Sequence, residues 1–190
     1  MPAPPLPQTL DDLLAQAEDF AQFSMRTRGK VPPTLFAHGP AGPLFFIPSS
    51  MPDDRAKDSF ANTARLICVA HAATAAVLIM EAWMTLAATG RPLDLSVPPS
   101  KSPHRLEVVI LTAETGKTTR QKILPIIRTV AGGFRAFGDF AAPAGTTYEG
   151  RFAQILPPKP STPAMQAKAS ALLALTGITP DSFRRDWSAN

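Results

Sequence analysis

"ATAAVLIMEAWMTL", residues 73–86, decides between two folds. As a helix it would continue the amphipathic run that begins at Asp53, giving one unusually long helix from Asp54 to Leu86. As a strand it opens a β-layer. The stretch turns β-branched and aromatic, which favours the pleated conformation. The reading is a strand from Ala75 to Met84, with the preceding helix ending near Ala72.

On the N-terminal side, Asp53 can cap that helix, and Phe60, Ala64, Ile67, Cys68 and His71 share one face of it. Before it, "PTLFAHGPAGPLFFIP" places apolar runs at Thr34 to Ala37 and Leu44 to Ile47 around a Gly/Pro turn, a β-hairpin signal. Earlier still, Thr9 is an N-cap with Asp12 as its capping-box partner. Leu10, Leu13, Leu14, Ala17, Phe20 and Ala21 follow at helical spacing to about Met25, and Gly29 with Pro32-Pro33 stops the helix. Residues 1–8 carry four prolines and read as a disordered arm.

On the C-terminal side, residues 85–104 form a loop of about 20 residues with four prolines, a length that is often functional. "RLEVVILTAE", "RQKILPIIRTV" and "FRAFGDFA" are strands, the last joined through Gly132-Gly133. Pro125 removes a ladder donor, which calls for an edge or a bulge. "GRFAQILP" is a short closing strand or an extended segment. Thr162 and Pro163 begin a last helix, with Met165, Ala169, Leu172 and Leu173 on one face and Gly177 as terminator.

The strands set the layering. Leu106, Val108 and Ile110 face one way, Val109 and Leu111 the other; Ile123 and Ile127 oppose Leu124 and Ile126 in the next strand. A sheet with one wet face would alternate apolar and polar. These strands do not, so helices should cover both faces, the middle helix on one and the terminal helices on the other. The expected fold is α+β, an antiparallel sheet of about five strands in the order α-β-β-α-β-β-β-α. Residues 9–177 would form a single domain and 178–190 a tail.

The 190-residue chain, 45% hydrophobic, is long enough for one core without staples. The lone Cys68 suits a reducing compartment. The N-terminus lacks the basic-then-apolar order of a signal peptide. The most apolar stretch, Leu66 to Met80, falls short of the ~20 residues a membrane helix needs. A cytoplasmic protein with no membrane role is expected. The net charge of +4 raises a nucleic-acid reading through Lys117, Arg120, Lys122 and Arg128, which ranks below a basic solvated surface because the cations are scattered.

"LTAETGKTTR", residues 111–120, imitates a phosphate-binding loop. The full pattern requires glycine where this chain has Leu111, and a helix rather than a strand must follow. Glu114 to Lys117 reads instead as a hairpin turn, with Gly116 at positive φ. Cys68 and His71 lie three apart on one face, but no second pair completes a metal site, so no metal or other cofactor is expected.

The remaining group is Glu81, Trp83, His104, Arg105 and Glu107, which antiparallel pairing brings to the end of the sheet where the long loop emerges. A buried carboxylate needs a partner or a raised pKa. A structural Glu81–Arg105 ion pair is the favoured reading. The alternative is a pocket with Glu81, Glu107 and His104 as catalytic candidates and Trp83, Ser100 and Arg105 as binding residues.

"EAWM" at 81–84 followed by "PPSKSPHRLEVV" at 98–109 resembles a family of bacterial proteins of unknown function, in which a strand ending Glu-Ala-Trp precedes P-S-x-x-P-x-R-x-E-V. Pro99, Ser100, Pro103, Arg105, Glu107 and Val108 fit that pattern; an acidic residue is common where this chain has His104. The resemblance implies no activity. The element order is also similar to that of roadblock and profilin-like domains, many of which are dimerising scaffolds. With no complete catalytic set, the expected function is a non-catalytic protein-interaction or scaffold domain, possible as a homodimer. A small-molecule protein or enzyme using Glu81, Arg105 and Glu107 is the alternative.

Overall fold

The computed structural model describes residues 9–86, 96–140, 151–179 and 182–183. Residues 75–85 are a strand, so the stretch that decides the fold does open the β-layer. The elements run α1 (Leu10–Arg28), β1 (Thr34–Gly39), β2 (Gly42–Phe46), α2 (Asp54–Ala70), β3 (Ala75–Thr85), a 3-10 turn (Pro99–Lys101), β4 (Arg105–Thr115), β5 (Thr119–Arg128), β6 (Phe134–Phe137) and α3 (Pro163–Leu175). The six described strands form one antiparallel sheet in the order β2-β1-β3-β4-β5-β6, each at a stretch read as a strand, within the expected α+β class.

Local chemistry sets the helix ends. Thr9 and Asp12 exchange both capping-box hydrogen bonds, and Gly29 closes α1 in the left-handed region at φ 70°. Asp53 and Thr162 cap α2 and α3 by accepting from the N–H groups of Ala56 and Met165.

Strand parity divides the core in two. Val77, Ile79, Val109, Leu111 and Leu124 pack beneath Leu13, Ala17, Phe20 and Met25 of α1. Leu35, Ala37, Ala76 and Leu78 face the other way, against Phe60, Ala64, Ile67 and Cys68 of α2. Helices therefore cover both faces, but their partition differs from expectation. Leu173 of α3 joins the α2 cluster, so α3 lies beside α2, and among the described residues α1 is the helix that covers the other face. Only Ala169 and Leu173 of α3 are buried, whereas Met165 and Leu172 are exposed. One helical turn of small and apolar residues suffices where a neighbouring helix supplies the rest of the contact. Ile178 and Phe183 pack against the same cluster, so the packing continues past Gly177.

Pro125 lies in a strand paired on both sides, opposite Val108 of β4. Its carbonyl accepts from Gly138 at 2.8 Å, where β6 has just ended, so the side without an N–H faces the finish of that ladder. A register shift follows at Ile127/Arg128, which supplies the expected bulge. Residues 151–158 form neither the short closing strand nor an extended segment; they run through a turn and bends as an irregular strap. The proposed arm at 1–8 and much of the loop 85–104 lie outside the described residues; its last part holds the 3-10 turn, which packs on β3 and β4.

Candidate functional sites at the two ends of β4

The register of β3 and β4 places Trp83 opposite Glu107 and Thr85 opposite Arg105, so the predicted corner is assembled. Its wiring differs from the ion pair expected. Glu81 stands opposite Val109, four residues along the strand from Arg105's partner, a separation of about 13 Å. Glu81 accepts instead from the backbone N–H of Val31, where the chain leaves α1. Arg105 turns its guanidinium over the Trp83 ring, 4.4 Å from the centroid, and donates to the Ser100 carbonyl. Glu107 gives both carboxylate oxygens to Arg128 on β5, at 2.5 and 2.6 Å. His104 is exposed, with its backbone N–H on the Ser102 hydroxyl.

Burial pushes the Glu81 carboxyl above the ordinary glutamate range. The Val31 N–H opposes this, the Glu107 charge adds to it, and Arg128 and Lys30 oppose it. A raised acid pKa means that the fold favours the protonated form. The cost to stability is absent below pH 4.5 and develops as pH rises through the folded-state value. Glu81→Gln keeps an oxygen for Val31 and removes the charge. It is expected to exceed the parent protein in stability at neutral pH, with the gap closing as pH falls from the raised folded-state value toward 4.5. Urea midpoints from pH 3.5 to 8 check this; parallel curves for the two proteins would contradict it.

This arrangement weakens the corner as a catalytic pocket, because Arg128 engages both Glu107 oxygens and Glu81 is tied to the main chain. The hairpin cations are also engaged: Arg120 pairs with Asp11, Lys122 with Glu18 and Arg128 with Glu107. Each exposed pair is worth little in stability. Together they still draw three of the four proposed phosphate-binding groups toward internal carboxylates. Cys68 is wholly buried in the α2 cluster, where burial, and secondarily the Glu114 charge, pushes its thiol up. His71, at the C-cap of α2, meets the edge of Phe183 at 4.9 Å.

At the opposite end of β4, the sequence reading missed a second constellation. The hairpin turn expected at Glu114 to Lys117 is present, but Gly116 has no positive φ. Thr115 closes the turn instead: its N–H donates to the Thr118 carbonyl, and its hydroxyl accepts from the N–H groups of Lys117 and Thr118. Glu114 is therefore still in the strand, 4% exposed, on the face that carries Val108 and Ile110. Its Oε2 accepts from the backbone N–H groups of Ile155 and Leu156, at 2.8 and 3.1 Å. Arg65 of α2 takes the complementary groups of the strap, donating to the carbonyls of Arg151, Ala153 and Gln154. A cation and an anion from different elements thus satisfy one irregular segment. The available signal was parity: Glu114 falls on an apolar face of its strand.

The fold and its two sites define a three-layer α+β domain with an antiparallel six-stranded sheet. No family model, curated protein or solved structure matches the chain. No described helix is long and apolar enough to cross a membrane.

Proposed function

We propose that this domain is a non-catalytic interaction module that docks an acidic, apolar-flanked segment of a cytoplasmic protein partner at the Trp83–Arg105 corner. The observation that carries this reading is the stacked pair itself. Trp83 is a large aromatic left 42% exposed, with a guanidinium held across its ring. Tryptophan and arginine are the residues most enriched where binding energy concentrates. Leu86 and Val97 are exposed near the same end of the sheet and supply apolar surroundings. Arg105 enters no ion pair among the described residues, since Glu107 is spent on Arg128, so its charge is available to a partner carboxylate. Electrostatic complementarity then sets specificity and on-rate, while the indole supplies the desolvated anchor. The lone buried cysteine is in keeping with a reducing compartment.

Selection from a random peptide display library tests the proposal. Enriched peptides are expected to place Asp or Glu beside Leu, Phe or Trp. Their binding should weaken at least tenfold in Trp83→Ala and in Arg105→Glu, and stay unchanged in Lys117→Ala. Selected peptides indifferent to both corner substitutions, or a library yielding none, would overturn it. A concentration-dependent dimer abolished by Trp83→Ala would make a second copy of the chain the occupant instead.

A further inference from the structure

The far end of β4 contains an unsatisfied group beside an open volume. Glu114 spends Oε2 on the strap, but its Oε1 is buried and has no hydrogen-bond partner among the described residues. Such groups are uncommon in folded proteins, because a desolvated polar atom without a partner costs free energy. Arg65 does not compensate it. Its donors go to three strap carbonyls and to the Asn62 side chain, and it forms no ion pair with Glu114. The strap also carries backbone strain here: Gln154 sits at φ 55°, a left-handed conformation unusual for a residue with a Cβ.

A cavity of about 500 Å³ opens between α2, the β4–β5 turn and the strap, and Glu114 is part of its wall. That volume falls in the range of small-molecule pockets. The rest of the wall includes Val69, Ile155, Leu156, Pro157 and Pro158, which offer hydrocarbon to hydrocarbon. Arg65, Thr115, Thr119 and the exposed Gln154 border it with polar groups, the Arg65 guanidinium being held by the strap carbonyls and Asn62.

We propose that this cavity is a binding site for a small primary amine, whose ammonium donates to Glu114 Oε1 and whose hydrocarbon body packs on Val69, Ile155 and Pro157. The chemistry follows from what is missing. The free oxygen requires a donor, and the carboxylate lacks a cation; an ammonium supplies both in one charge-assisted bond. Oε1 is closed to a water-sized probe as the strap stands, so a donor reaches it when the strap shifts at the strained Gln154, and a –NH₃⁺ on a flexible stem, with three donors in any rotation, demands the least exact alignment. The strained strap is the element such a ligand would hold. The site is independent of the Trp83–Arg105 corner, which lies at the other end of the same strand.

Isothermal titration and amide NMR with hexylamine, cadaverine and phenethylamine, against hexanol and hexanoate as matched controls, test the site. Hexylamine is expected to bind at least tenfold more tightly than hexanol or hexanoate and to shift the Ile155 and Leu156 amide signals. Glu114→Gln, which keeps an acceptor for the strap, should abolish that preference. Val69→Trp, which fills the cavity without touching Glu114's hydrogen bonds, should abolish binding altogether and covers the case in which the first variant folds poorly. Trp83→Ala should leave amine binding unchanged. Absence of binding by all three amines, equal binding of hexanol, or binding that survives both cavity variants would overturn the assignment.

Discussion

Gly39→Ala is expected to cost about 3 kcal/mol of stability, among the largest losses available from one methyl group in this chain. Gly39 ends β1, and a Cβ there would stand 2.4 Å from the backbone oxygen of His71 and 3.3 Å from that of Ala72. Both are main-chain atoms, so no side-chain rotation relieves the clash. The opposing turn is itself pinned. The N–H of Ala73 donates to the Cys68 carbonyl and that of Thr74 to the His38 carbonyl, each at 2.8 Å, and Ala72 is held at φ 48°. Either β1 moves off the end of α2 or the turn after α2 opens, and both disturb the β1–β3 ladder. For a domain of this size the melting temperature should fall by roughly 10 °C, with the urea midpoint lowered and the m-value unchanged. A loss within 2 °C of experimental scatter would mean that the approach of these two chain segments is looser than the geometry states.

Glu114→Ala should cost about 4 kcal/mol, by a different route. The substitution removes the acceptor for two buried backbone donors, those of Ile155 and Leu156, whose side chains belong to the core. Each orphaned donor is worth about 1–3 kcal/mol, and the truncated side chain adds a void to the existing cavity. The damage should be local first. Amide hydrogen exchange at Ile155 and Leu156 is expected to accelerate more than exchange in β3, since Arg65 still grips the strap by its carbonyls. Uniform acceleration across the sheet would show that the strap unfolds only with the whole domain. Unchanged exchange at these two amides would remove Glu114 as its anchor.

Much of the fold is legible because its determinants are local. Thr9 with Asp12, Asp53, and Thr162 with Pro163 announce three helix starts through hydrogen bonds spanning three residues, and Gly29 announces a stop. The division between α2 and β3 is readable because the run after Ala72 changes from helical spacing to dense β-formers. Apolar residues of both parities in β4 and β5 announce a sheet covered on two sides.

The wiring of the sites is not legible in this way. Glu81 needed a partner, as its sequence context demands, but that partner is a main-chain N–H fifty residues upstream and not the nearest guanidinium in the pattern. Glu114 sits beside a glycine-lysine-threonine sequence that draws attention to the turn, while its hydrogen bonds reach 41 and 42 residues downstream. Which helix shares a face with α2 likewise depends on where the long connection after β6 returns, a matter of packing and not of period.

The chain's own residues determined where helices and strands begin, that the β-layer is apolar on both sides, and that an acid and an indole stand at its loop end. Only the folded chain decided that Glu81 caps Val31, that Glu107 holds Arg128, that α3 lies beside α2, and that Glu114 keeps one oxygen unpaired among the described residues. Caps and periodicities act over one helical turn or one pleat and are written in neighbouring residues. A charged group's partner is set by strand register and by the path of segments distant in sequence, which no local pattern encodes.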